Sequence, residues 1–200
     1  MRTASIVAAA FAFGACTLAM TRNAHALGPV DVEIGAKVGV GTSPVSSNNG
    51  ISTPNPLGFG IGARGGVSFL GFYGGVQLMY YFGGSDDVSI AGQSFSLKDH
   101  TFMYGVEAGY GLTLLDILTI RPQVGIGNAT FSTTGNVSGS IANGSVSGGS
   151  DNELYIEPGV TGLVSLGGWF VGADANLLFF PSLDNSKVAF TLHGQIGFKF

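Results

Sequence analysis

One feature constrains this chain more than any other: it alternates. Over most of its length apolar side chains recur at every second position, and the intervening positions carry glycine, polar or charged residues. A period of two is the signature of a strand with two unlike faces, because successive side chains leave a strand on opposite sides. Eight such runs can be read. The first is VDVEIGAKVGV, where Val30, Val32, Ile34, Ala36, Val38 and Val40 oppose Asp31, Glu33, Gly35, Lys37 and Gly39. The others are LGFGIGARGGVSF, FYGGVQLMYYF, TFMYGVEAGYGLTL, LTIRPQVGIG, LYIEPGVTGLV, WFVGADANLLF and the closing run through TLHGQIGFKF. In the second of these, Leu57, Phe59, Ile61, Ala63 and Val67 share the apolar face.

The charges decide what the two faces meet. Asp31, Glu33, Lys37, Arg64, Glu107, Arg121, Glu157, Asp174, His193 and Lys199 all fall on the glycine-and-polar face, and none falls on the apolar one. Charged residues make up only 10% of the chain, against about 25% in ordinary soluble domains. That is too few to coat the outside of a soluble barrel. The apolar face is instead rich in large aromatics, too bulky for the inside of a narrow one. Lipid outside and an enclosed polar lumen satisfy both facts, since a Lys or Arg facing mid-bilayer costs roughly 2–4 kcal/mol. Closure follows, because an open sheet edge in hydrocarbon leaves backbone groups unpaired. The expected fold is all-β, an eight-stranded antiparallel up-and-down transmembrane β-barrel.

The connections alternate in length. Short ones lie at Leu70-Gly71, around Leu115-Asp116-Ile117 and at Gly167-Gly168; long ones cover 42–56, 83–99, 132–152 and 181–187. Two of the long ones read as hairpins continuing past the main sheet, with turns expected at Ala91-Gly92 and Asn143-Gly144. Phe69, Phe72, Trp169, Phe198 and Phe200 lie toward the short turns, and Tyr80, Phe82, Phe102, Tyr104, Phe179 and Phe190 toward the long loops. This predicts two aromatic belts at the two bilayer interfaces. With long loops outside, both termini are expected in the periplasm.

The first 26 residues read as a secretory signal peptide: Arg2, an apolar stretch, and the cleavage pattern Ala24-His25-Ala26. The mature barrel domain is then 27–200. Cys16, the only cysteine, falls in the leader, so no disulfide or thiol chemistry is expected. Losing Arg2 and Arg22 lowers Lys+Arg from 8 to 6 against 12 acids, so the formal charge moves from −4 to −6. That balance argues against a nucleic-acid partner.

The signal peptide, the eight runs, Arg121-Pro122 within LTIRPQVGIG and the terminal GQIGFKF resemble the small outer-membrane β-barrel proteins of Gram-negative bacteria, the OmpA/OmpX-like group. The resemblance implies outer-membrane localisation, with lipid and lipopolysaccharide as surroundings. It implies that Ile196, Phe198 and Phe200 form the signal read by the outer-membrane assembly machinery. Proteins of the OmpA type often add a peptidoglycan-binding domain after the barrel; this chain stops at Phe200, so no such tether is expected.

The inward polar set is the candidate site: Glu33, Lys37, Arg64, Glu107, Arg121, Glu157, Asp174 and His193. Buried charges need partners, so an interior salt-bridge network is expected, with Arg64 and Arg121 each reaching at least one Glu. This favours a non-enzymatic envelope protein with a mostly plugged polar lumen. The alternatives are a small channel or carrier for a small or apolar solute and, less favoured, a lipid-modifying enzyme. Ser96, Asp99 and His100 give the enzyme reading only a thin basis. No metal or cofactor is expected. No external partner is indicated.

Overall fold

The computed structural model describes residues 30–42, 55–90, 93–114, 117–139, 144–182 and 188–200, with side chains described in these segments except at 85–97 and 135–148. The proposed leader, Cys16 and the turn at Ala91-Gly92 lie outside the described residues.

Eight antiparallel strands close into a barrel: β1 Val30–Gly41, β2 Phe59–Phe69, β3 Phe72–Ile90, β4 Gln93–Tyr110 with its continuation Leu112–Leu114, β5 Leu118–Gly139, β6 Gly144–Leu166, β7 Trp169–Leu178 and β8 Ala189–Lys199. Each strand pairs with the next, and β8 pairs with β1, so the barrel closes on itself. The seam is sealed to its last residue. Phe200 and Val32 exchange backbone hydrogen bonds of 2.9 and 3.0 Å, and Lys199 meets Asp31 at 2.9 Å beside them.

The alternation sets which residues face out. Apolar residues at the outward positions are 36–67% exposed, which in this solvent means lipid contact. Phe69, Phe72, Tyr110, Trp169 and Phe198 form one aromatic belt near the tight turns. Phe59, Tyr80, Phe82, Phe102, Tyr104, Phe179 and Phe190 form the other. The turn between β2 and β3 is two residues long and left-handed, with φ of 50° at Leu70 and 87° at Gly71. This mirror-image turn matches the right-handed twist of the strands it joins.

The wall is uneven. β3 to β6 hold 19, 18, 22 and 23 residues, whereas β1, β2, β7 and β8 hold 12, 11, 10 and 11. The two expected hairpins are therefore real continuations of the sheet, and Phe82 to Ile90 alone spans about 27 Å. Row by row, polarity changes along this tall side. Val76–Val106–Ile126–Ile156 crosses the lipid-facing wall, whereas its continuations are His100–Ser132–Ser150 and then Asp87–Ser96–Asn136–Ser145. The rows continuing the lumen side become apolar, as in Val88–Phe95–Val137.

Two expectations need correction. Gly144 is a strand residue opposite Val137, so it does not form the second position of a two-residue turn; Asn143 lies outside the described residues. The register carried up from the barrel, shifted once between Ser132 and Thr134, overrides the local turn chemistry. Leu57 does not face lipid either: β2 begins at Phe59, and Leu57 is fully buried over the mouth of the lumen. Asn55 fixes this bend. Its Oδ1 accepts from the Leu57 amide at 3.1 Å and its Nδ2 donates to the Gly41 carbonyl at 2.7 Å.

Candidate functional site

An eight-stranded barrel leaves an interior just wide enough for side chains. Glu33, Lys37, Arg64, Glu107, Arg121, Glu157, Asp174 and His193 all project into it and are 1–4% exposed. They come from every strand except β3, which adds the inward Tyr73 and Gln77. Their contacts therefore run across the barrel as well as along it.

One half of the set gathers around Tyr73. Arg121 donates to both oxygens of Glu33, at 3.0 Å to Oε2 and 2.6 Å to Oε1. A planar guanidinium and a carboxylate pair best in this two-point geometry. The same guanidinium lies 3.9 Å over the Tyr73 ring, and that of Arg64 4.8 Å from it. Arg64 donates to Gln195 Oε1 at 2.7 Å and stands 3.6 and 3.7 Å from Glu33 and Glu107. The Tyr73 hydroxyl donates to Glu107 Oε2 at 3.2 Å. Two cations, two acids and one ring thus form a compact, charge-balanced unit.

The other half gathers around Asp174. Lys37 stands 3.3 Å from it and donates to Gln77 Oε1 at 3.0 Å; Gln77 Nε2 donates onward to Glu157 at 2.5 Å. Asp174 also accepts from Asn176, Gln195 and His193 Nδ1, at 2.6, 3.2 and 2.6 Å. On the far side of the imidazole, Nε2 lies 2.6 Å from the Tyr81 hydroxyl. The result is an Asp174–His193–Tyr81 chain.

Above Tyr81 the lumen turns apolar. Leu57, Met79, Met103, Ala129, Tyr155, Leu178, Phe180 and Ala189 pack with it at 0–3% exposure, and Phe131 lies edge-on to Phe180 at 5.6 Å. At the opposite end Leu163 and Phe170 also turn inward. The inward glycines make room for rings: a Cβ at Gly66 would stand 2.5 Å from Tyr73, and one at Gly105 would collide with the Tyr155 hydroxyl.

Sequence reasoning missed Leu163, Phe170, Leu178 and Phe180 as inward residues. All four sit in apolar doublets: Leu163-Val164, Trp169-Phe170, Leu177-Leu178 and Phe179-Phe180. The signal was available there, since in a doublet one of the two must break the alternation and face in. Of the Ser96, Asp99 and His100 grouping, the Ser96 side chain lies outside the described residues, and the other two do not come together. Asp99 and His100 are consecutive in β4 and take opposite faces, and the His100 ring stacks on Tyr80 instead, at 5.9 Å. Among the described residues no cluster of three or more His, Cys, Asp and Glu could hold a metal ion.

Comparison with known proteins agrees with this architecture. The chain matches the family model described as outer membrane protein beta-barrel domain over residues 5–198. It belongs to that family. This outer-membrane β-barrel protein is similar in fold to the N-terminal beta-barrel domain of OprF from Pseudomonas aeruginosa, at 15% identity and a TM-score of 0.50, covering 85% of this chain and 97% of that one. It is likewise similar to a major outer membrane protein from Thermus thermophilus, at 13% identity and a TM-score of 0.55, covering 86% of this chain and 99% of that one. A search of curated proteins found no match. Membership of the outer-membrane β-barrel family places the protein in the outer membrane.

Proposed function

We propose that this is a non-enzymatic envelope protein whose lumen is plugged. The observation that supports the reading is the burial of the side chains that project into the barrel. Eight ionisable side chains meet there, seven in ion pairs and Glu157 through Gln77, and an apolar cluster stands over them at the mouth. An ion entering would have to separate Arg121 from Glu33 or Lys37 from Asp174, and parting a buried pair is costly. The same packing argues against catalysis. Asp174 and His193 resemble two members of a hydrolytic triad, but the third position is Tyr81, itself buried beneath the cluster. Cleavage after Ala26, periplasmic termini and a role for Ile196, Phe198 and Phe200 in assembly belong to the same reading. The long side of the wall then stands on the cell surface.

Planar-bilayer recording tests the plug: the wild-type protein should leave membrane conductance at baseline. Discrete steps whose ion selectivity changes on Arg64→Gln would replace this reading with the channel. Orientation is tested separately. A cysteine at Asn152 should react with a membrane-impermeant maleimide on intact cells; reaction only after the outer membrane is broken would reverse it.

A further inference from the structure

The mouth of the lumen holds two buried polar atoms that nothing in the fold uses. Thr191 Oγ1 and Asn176 Oδ1 have no hydrogen-bond partner among the described residues, although both side chains are fully buried. Asn176 is engaged only through Nδ2, which donates to Asp174 at 2.6 Å. Most buried hydroxyls and amides are paired, so two neighbouring orphans call for a partner. They are neighbours because Asn176 and Thr191 stand opposite each other on β7 and β8. Directly opposed side chains lie within reach of one small group. The next inward rung toward the loops is Leu178–Ala189, part of the apolar cluster, and the next below is Asp174–His193. The orphans therefore lie between the cluster and the ion pairs.

Leu57 closes this place from above. A Cβ on Gly41 would stand 2.8 Å from Leu57 Cβ and 3.1 Å from Thr191 Cγ2, so the two side chains converge on one point. Leu57 belongs to no strand and is carried by a strap, residues 55–58. Hydrogen bonds hold the strap to the rim. Asn55 donates to the Gly41 carbonyl, and its own carbonyl accepts from the Gly84 amide at 2.9 Å. The Pro56 carbonyl accepts from Thr101 Oγ1 at 2.9 Å, and that of Leu57 from the Gly41 amide at 2.6 Å. The ladder between β1 and β2 begins below them, at Val40–Phe59. The strap can lift as a unit and leave that ladder intact.

The lining decides what fits beneath it. Met79, Met103 and Leu178 offer apolar surface. Asn176 Oδ1 can only accept, whereas Thr191 Oγ1 can donate or accept. A neutral hydroxyl serves both, donating to the first and accepting from the second. A carboxylate cannot donate to Asn176 and would face Asp174. We propose that the mouth binds a small neutral alcohol. Its hydroxyl lies between Asn176 and Thr191, and its apolar body takes the place that Leu57 otherwise fills. The site ends at the ion pairs, so a bound alcohol opens no path for ions and the plug is tested apart from it.

Of the four methionines, Met79 and Met103 both belong to this cluster, so carbon-13 labels on their methyl groups report the site. The full chain is placed in nanodiscs and titrated with hexanol. Both methyl signals should shift saturably and show magnetisation transfer from the hexanol chain. The methyl ether of pentanol, which cannot donate, and hexanoate at neutral pH should each bind at least roughly threefold more weakly. Thr191→Val keeps the shape and breaks no existing bond. It should weaken hexanol roughly three- to tenfold, the worth of one neutral hydrogen bond. Leu57→Ala removes the competing side chain and should tighten binding by a similar factor. Heat-modifiable gel mobility checks that each variant is folded. The proposal is overturned if the shifts grow only linearly with hexanol in the bilayer, if Thr191→Val and wild type bind alike, or if hexanoate binds as well as hexanol. Magnetisation transfer from water to the Thr191 methyl, undiminished by hexanol, would assign the orphans to an ordered water and overturn it as well.

Discussion

The middle of the lumen and its mouth are both fully buried, yet they are held by different physics. In the middle, Arg121, Glu33, Lys37, Gln77 and Asp174 each have a specific partner at a specific angle. At the mouth, Leu57, Met79, Met103 and Leu178 share only surface. A directional network is all-or-none, because an abandoned charge has nowhere to go. An apolar cluster is graded, because neighbours can lean into a gap. The contrast teaches that equal burial does not mean equal sensitivity.

The largest effect should therefore come from the middle. Arg121→Ala leaves Glu33 with only the 3.6 Å approach of Arg64, and should lower unfolding free energy by roughly 3–5 kcal/mol. Reversible urea unfolding from lipid vesicles, followed by tryptophan emission of Trp169, measures it. Arg121→Lys should recover only part of the loss, since an ammonium cannot make the two-point contact. A loss below about 1 kcal/mol for the alanine variant would mean that water already reaches the pair, and would weaken the plug with it.

Next comes the mouth. Leu178→Ala removes a fully buried side chain and should cost about 2 kcal/mol, the low end for such truncations. The low end applies because Leu57 and Phe180 reach the cluster from connections rather than from the barrel wall, and can settle. If Leu178→Ala costs as much as Arg121→Ala, the distinction between directional and graded packing fails. The double exchange Arg121→Met with Glu33→Leu sharpens it from the other side. Replacing both charges by apolar groups of similar volume should stay within about 1 kcal/mol of wild type, because a buried pair contributes specificity more than net stability.

The same contrast explains what could be read from the sequence. The barrel was legible because lipid imposes one rule on every outward position, and a period of two repeats that rule along every strand. The inward location of Glu33 or Arg121 followed from the same rule by exclusion. Who meets whom did not follow. Arg121 and Glu33 are 88 residues apart and on non-adjacent strands, so their meeting depends on the stagger of the closed barrel. The mouth was less legible still. Leu57 reads as one more alternating apolar residue, and only the Asn55 turn moves it from the wall to the lid of the lumen. The Asn143-Gly144 signal shows the reverse error, a good local turn overruled by register set many residues below it.

The smallest effect calibrates the comparison, because it involves neither partner geometry nor buried surface. Leu70 holds a φ of 50° in the turn between β2 and β3 and is 63% exposed. A left-handed conformation costs a branched side chain about 1 kcal/mol, and asparagine tolerates it better. Leu70→Asn should therefore raise unfolding free energy by roughly 0.5–1 kcal/mol if the turn stands in water. If the turn instead dips into the interface beside Phe69 and Phe72, losing the leucine forfeits lipid contact and the gain vanishes or reverses. Leu70→Gly separates the two contributions. It loses the leucine as well but adds no amide, so a smaller loss with glycine than with asparagine would mean that the turn lies in the interface, where the amide is poorly solvated. Equal gains from both would put the bilayer boundary at the Phe69–Phe72 rung and leave the turn beyond it.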